Sequence, residues 1–164
     1  IAIRTAGDMY AEVMGRLDGT DILIMAAAVA DYRPTLVAPR KMKKGQRNLT
    51  LELERTQDIL ATVAAARSSG KSKMRLCRPD VVVGFAAETE NLLENARIKL
   101  RDKKLDLLVA NDVSASDSGF GVETNRVTLL TPDEGEEALP LMSKSEVAER
   151  VLERVAALWR ASHA

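Results

Sequence analysis

The apolar residues of this chain fall into two interleaved rhythms, one of helices and one of strands. Met9, Val13, Met14 and Leu17 recur at helical spacing behind Thr5 and Asp8, a capping-box pair, and predict a helix over residues 6–17 that Gly19 ends. Ahead of it, Ile1-Ala2-Ile3-Arg4 alternates like the end of a strand already under way, so the sequence reads as opening mid-fold. Residues 21–30, with Ile22 to Met25 at their centre, form an apolar run that predicts a strand buried on both faces. Pro34 and Pro39 predict irregular chain after it. Leu49, Leu51 and Leu53 then alternate with Thr50, Glu52 and Glu54, a period of two with one wet face, so residues 49–55 read as a half-exposed strand, an arm that can pair outside its own sheet.

The second half repeats the alternation. Thr56 is the candidate N-cap of a helix carrying Ile59, Leu60 and Val63, which frays at Ser68-Ser69-Gly70. Residues 80–85 predict a second buried strand. Thr89 then caps a helix with Leu92, Leu93, Ala96 and Leu100 inward, and Lys99 and Lys103, one turn apart, share another face. Residues 105–110 predict a third buried strand, ending in Asn111-Asp112, and 127–130 with 138–141 a strand pair around Pro132. Ser143 with Glu146 caps a closing helix whose inner stripe is Val147, Val151, Val155 and Leu158. Strands alternating with helices at this spacing define an α/β protein: a Rossmann-like, mostly parallel sheet flanked by helices, read as one domain over residues 1–164. In such a sheet ligands sit beyond the carboxyl ends of the strands.

Composition narrows the chemistry. The 164 residues are 46% hydrophobic, enough for one core and with no excess that suggests a membrane span. Lys and Arg number 24 and so do Asp and Glu, so any polyanion site must be local and nucleic acid is not an expected partner. Aromatic content of 3% leaves no stacking platform for single strands. A lone Cys77 can make no internal disulfide and suits a reducing, cytoplasmic setting; Arg75 and Arg78 beside it could activate a thiol, but with no base in view it reads as structural. The only histidine is His163, so neither a zinc cluster nor a Ser-His-Asp triad can be assembled from these residues.

The most informative stretch is Ala26-Ala27-Ala28-Val29-Ala30-Asp31-Tyr32-Arg33-Pro34, followed by Lys41-Met42-Lys43-Lys44. Small residues at a strand end let a flat ligand approach the backbone. A carboxylate there can hold Mg²⁺, and lysines close behind can neutralise phosphate oxygens, which makes a metal-bound nucleotide the first hypothesis. Each signal also has a plain reading. Asp31 could cap a turn before Pro34, the lysines of either cluster could be solvated faces, and Phe85 could be core.

In order, AAAVADYRP, KMKK, ERTQDIL, VVGFAAETENL, ARIKLRDKKLDLLVANDV, GFGVETNRVTLL and LPLMSKSEVAERVL resemble the phosphopantothenate–cysteine ligase domain of coenzyme A biosynthesis in its bacterial, CTP-using form. No piece is specific alone, but the ordered set spans nearly the whole chain. The resemblance implies that the carboxylate of 4′-phosphopantothenate attacks the α-phosphate of CTP, giving an acyl-cytidylate and pyrophosphate, and that the amine of cysteine then displaces CMP. It implies a homodimer, with the strand arm used for dimerisation. It implies nucleotide contacts at Met25, Ala26, Ala27, Asp31, Lys41, Gln57, Asp58, Ile59, Leu60, Phe85, Lys99 and Lys103. Asp31 would serve Mg²⁺ and the triphosphate, Lys41 would act from a flap over the reacting groups, and Asn111 is a second-tier candidate for the acyl substrate. FMN would enter only with a decarboxylase domain upstream. The family usually has proline where Gln57 stands, and its glycine-rich first portion, with an asparagine for the acyl-cytidylate, would lie before Ile1. Two other readings compete: an inactive nucleotide-binding or regulatory subunit of the same fold, and an NAD(P)-dependent oxidoreductase, for which no G-x-G-x-x-G stands between a strand and a helix in these residues.

Overall fold

The computed structural model describes residues 1–41, 48–68, 79–88, 91–114, 118, 121–133 and 135–164. In chain order the elements are α1 (Ala6–Met14), β1 (Ile22–Met25), β2 (Tyr32–Pro34), β3 (Leu53–Arg55), α2 (Ile59–Ser68), β4 (Val81–Glu88), α3 (Leu92–Asp102), β5 (Leu107–Asp112), β6 (Thr124–Asn125), β7 (Val127–Leu130), β8 (Glu136–Ala138), β9 (Met142–Ser143) and α4 (Lys144–Ser162). The main sheet has the order β1-β4-β5-β7-β8. Its first three strands run parallel, Ile22 opposite Val81 and Val83 opposite Leu107, while β7 and β8 add antiparallel. The protein is thus of the α/β class read from the sequence.

Period-two alternation splits the sheet's side chains between two cores. Val82, Ala86, Leu108 and Ala110 point to a face covered by α2 and α3 through Ile59, Val63, Ala96 and Leu100. Val81, Val83, Leu107 and Val109 point to the other, where α4 supplies Val147, Val151 and Val155. Both faces of β4 and β5 are covered, which is why their sequences are continuous apolar runs rather than alternating ones. Gly84 of β4 is needed for packing: a Cβ there would stand 2.6 Å from Cδ1 of Leu105.

Several expectations are corrected. Residues 1–4 form no strand, and α1 ends at Met14, where the Gly15 N–H caps Ala11 O, although Leu17 beyond it is still buried. The strand expected over 21–30 is Ile22–Met25 only. It hydrogen-bonds a neighbour on one side, so Ile22 and Ile24 are exposed and Met25 alone is buried. The stretch expected to be irregular holds β2, which pairs antiparallel with β3, Pro34 closing the ladder opposite Leu53. Proline is tolerated there because this is a ribbon with a free edge. The arm strand is Leu53–Arg55, shorter than expected, with Leu49 and Leu51 outside it and exposed.

Asp58, not Thr56, caps α2, its Oδ1 accepting the Ala61 N–H at 2.9 Å. Thr89 lies outside the described residues. The N-cap position of α3 is Asn91, in the left-handed region at φ 49° with no side-chain cap bond. Leu93 is exposed rather than inward, and β8 lies two residues earlier than expected, over Glu136–Ala138. Both predicted capping boxes are present, Thr5 with Asp8 and Ser143 with Glu146. Among the described residues no helix is long and apolar enough to cross a membrane.

Candidate functional site

Four chain segments converge beyond the carboxyl ends of β1 and β4 and enclose a cleft of about 430 Å³. The first is the exit from β1, contributing Met25, Ala27, Val29, Ala30 and Asp31; the second is the turn into α2, contributing Thr56, Gln57, Asp58, Ile59 and Leu60. Phe85 closes the floor from β4, and α3 presents Asn95, Ile98, Lys99, Asp102 and Lys103.

Hydrogen bonds fix these walls to one another. Thr56 holds the β1 exit at two points, its N–H donating to Asp31 O at 2.9 Å and its hydroxyl to Ala30 O at 2.6 Å. Arg33 and Glu54 pair at 2.8 Å across the β2–β3 ribbon just beyond. On the opposite wall Lys99 Nζ donates to Phe85 O at 2.7 Å, and Lys103 Nζ pairs with Asp58 Oδ2. The largest single influence on Asp58 is burial, which pushes its carboxyl up. The hydrogen bond from Lys103, the Ala61 N–H and the charges of Lys103 and Lys99 together outweigh it and hold the carboxyl below its ordinary value. The cleft therefore offers two cationic heads from one helix face, opposite carboxylates at Asp31 and Asp58. Such a surface accepts a polyanion best when a divalent cation comes with it.

Ten of the residues expected at a nucleotide line this cleft: Met25, Ala27, Asp31, Gln57, Asp58, Ile59, Leu60, Phe85, Lys99 and Lys103. Ala26, Lys41 and Asn111 do not. Lys41 is exposed and is the last described residue before 42–47, so Met42, Lys43 and Lys44 lie outside the described residues, as do Arg75, Cys77 and Arg78. Asn111 sits on β5 between Ala87 and Val127, and its Oδ1 is buried with no hydrogen-bond partner among the described residues. Next to it Asp112 accepts both the hydroxyl and the N–H of Ser114, which lower its carboxyl's pKa.

Sequence reasoning missed Thr56 as a clamp, and Asn95, Ile98 and Asp102 as cleft residues. The last three were findable, because they share the helical stripe of Lys99 and Lys103.

Taken together, this is an α/β protein with a polar ligand cleft at the strand carboxyl ends. Residues 1–158 match the family described as the DNA/pantothenate metabolism flavoprotein C-terminal domain, and the chain belongs to that family. It is 44% identical over 158 residues to the coenzyme A biosynthesis bifunctional protein CoaBC of Bacillus subtilis, covering 96% of this chain and 36% of that protein. It is 42% identical over 160 residues to the CoaBC of Vibrio vulnificus strain YJ016, covering 96% and 37%. The chain thus spans about a third of the length of the curated relatives it matches. Among solved structures it resembles the crystal structure of the C-terminal domain of CoaBC, with a TM-score of 0.73 at 34% identity, covering 98% of this chain and 66% of that one.

Proposed function

We propose that this chain carries the nucleotide cleft of a phosphopantothenate–cysteine ligase of coenzyme A biosynthesis that uses CTP. The observation that carries the reading is that Lys99, Lys103 and Asp31 line one cleft, in a chain whose relatives bear the coenzyme A biosynthesis name. In this reading the backbone of Met25, Ala26 and Ala27 meets the nucleoside at the β1 exit, with residues 57–60 and Phe85 around it. Lys99 and Lys103 release their protein partners, Phe85 O and Asp58, to meet phosphate oxygens.

Activation of the acid needs in-line positioning and charge neutralisation rather than a protein nucleophile. The substrate carboxylate attacks the α-phosphorus and pyrophosphate leaves. The amine of cysteine then attacks the acyl carbon, CMP departs, and the amine's proton goes to solvent. Among the described residues no three His, Cys, Asp or Glu side chains gather to hold a metal ion. Mg²⁺ binds through one or two carboxylates, substrate phosphates and retained waters, and Asp31 is the carboxylate we assign to it. We assign Lys41, which stands outside the cleft lining, to the reacting phosphates. The Oδ1 of Asn111, without a hydrogen-bond partner among the described residues, is an acceptor suited to an amide or hydroxyl of the acyl substrate. We further assign the exposed arm to a homodimer contact, and the cytoplasm as the setting. FMN belongs to this reading only through a decarboxylase domain elsewhere in a longer protein.

Titration calorimetry with Mg·CTP tests the cleft. Asp31→Asn should weaken binding about tenfold or more, the usual scale for losing a charged partner, while the fold stays intact. Unchanged affinity in the folded variant overturns the assignment of Asp31. Binding without pyrophosphate release, in a chain extended to a full ligase domain and given phosphopantothenate, would leave a nucleotide-binding subunit instead.

A further inference from the structure

At the amino ends of β4 and β5, on the far side of α3 from the cleft, lies a second cavity of about 590 Å³. Four cationic side chains converge on it: Arg67 from α2, and Arg97, Arg101 and Lys104 from α3 and the turn that follows. Arg97 and Arg101 lie at i and i+4 on one stripe of α3, and Lys104 joins them from the turn, while Lys99 and Lys103 face the cleft.

Two of the four charges are neutralised within the protein. Arg67 is bound bidentately by Asp106, at 3.0 Å to Oδ1 and 2.9 Å to Oδ2, and Asp106 also accepts the Val82 N–H. Arg97 pairs with Glu136 at 3.0 Å. The other two meet no carboxylate among the described residues. Arg101 has no ion-pair partner among the described residues, and Lys104 Nζ meets only the neutral hydroxyl of Ser68, at 2.7 Å.

Helix capping, the ordinary task of cations at a C-terminus, is already done by other groups. The N–H groups of Lys103, Lys104 and Leu105 take the carbonyls of Lys99, Arg101 and Leu100, and Arg67 takes the carbonyl of Lys104. Lys104 also stands at φ 47°, a left-handed position where a helix exit usually places glycine. Leu100, Leu105 and Pro132 supply apolar lining to the same cavity.

We propose that this cavity is a second anion site that takes a phosphomonoester, its phosphate between Arg101 and Lys104 and its organic part against Leu100, Leu105 and Pro132. A phosphate dianion matches the charges of Arg101 and Lys104, and the volume falls in the range of small-ligand pockets rather than that of a bare ion. The site does not depend on what the carboxyl-end cleft binds.

The test is an amide-resolved NMR titration of the chain with phenyl phosphate, with phenol as the uncharged control. Saturable shifts are expected at Ser68, Arg101, Leu105 and Asp106. The double variant Arg101→Ala with Lys104→Gly should weaken them about tenfold or more. Glycine suits the backbone at residue 104, so the variant should fold, as an unchanged melting temperature would verify. Three results overturn the proposal: shifts confined to the Asp31 and Lys99 cleft, a folded variant that binds as wild type does, or phenol moving the same amides as strongly.

Discussion

The β4–β5 pair and the β2–β3 ribbon are built from the same backbone ladder, yet they stand at opposite extremes of burial. β4 and β5 pair over six residues, with Val83, Leu107, Leu108 and Val109 fully buried between two helical layers. β2 and β3 pair over three, and every residue of both is exposed. Burial supplies most of the free energy that orders a strand, and an isolated two-stranded ribbon is marginal in water. The central strands are therefore self-sufficient. The ribbon is held by its ladder, an exposed Arg33–Glu54 pair of small worth, and the Thr56 clamp at its base. Its leucines, Leu49, Leu51 and Leu53, together with Leu36 and Val37, lie open. That contrast is what the homodimer contact proposed above would resolve, a second copy of this chain covering the arm.

Truncation in the centre should have the largest effect. Leu108→Ala opens a void where two core layers meet and should cost about 2–5 kcal/mol in urea unfolding. A cost under about 1 kcal/mol would break the contrast, because the central sheet would then be no better packed than the ribbon. Replacing Leu49, Leu51 and Leu53 together by serine should leave the protomer's unfolding free energy within about 0.5 kcal/mol, as for exposed sites. Light scattering should show the dimer mass falling to that of a monomer, and a wild-type chain already monomeric at micromolar concentration would remove the proposed cover.

The smallest effect concerns the clamp's neighbour, the Asp58–Lys103 pair. Asp58 has a depressed pKa when folded, so its contribution is present above the ordinary aspartate value of 3.8 and is lost as pH falls through the folded value. With Asp58 half exposed, Asp58→Asn should cost under about 1 kcal/mol at pH 7. The difference from wild type should shrink towards pH 3; a gap that persists there would mean the cap, not the charge, matters.

What could be read from the sequence follows the same division. Where both faces of a strand are buried, as at Val81 to Val83 and Leu107 to Ala110, the pattern is locally complete and the strands lie close to expectation, over Val81–Glu88 rather than 80–85 and over Leu107–Asp112 rather than 105–110. Where order depends on a neighbour, pattern was a poor guide. Residues 21–30 looked as buried as β4, but edge position exposes Ile22 and Ile24. Pro34 argued against β2 because residue type cannot reveal that the ladder faces one side only. Most of the cleft was legible, because small residues, a carboxylate and spaced lysines carry their chemistry in their identity. Thr56 was read as a helix cap, its commonest role, and its two bonds to Ala30 and Asp31 arise only from the way the arm folds back.

α3 divides its cations between two cavities by angle alone, the Lys99 stripe to one side and the Arg97 stripe to the other. Each residue advances a helix by about 100°. One residue inserted after Asn95 would turn every later side chain by that angle, swinging Lys103 away from Asp58 and Leu100 out of the core at once. Substitution along α3 changes one address at a time, whereas a change in its length rewrites them all, so of all the segments lining the cleft this helix has the least freedom to vary in length.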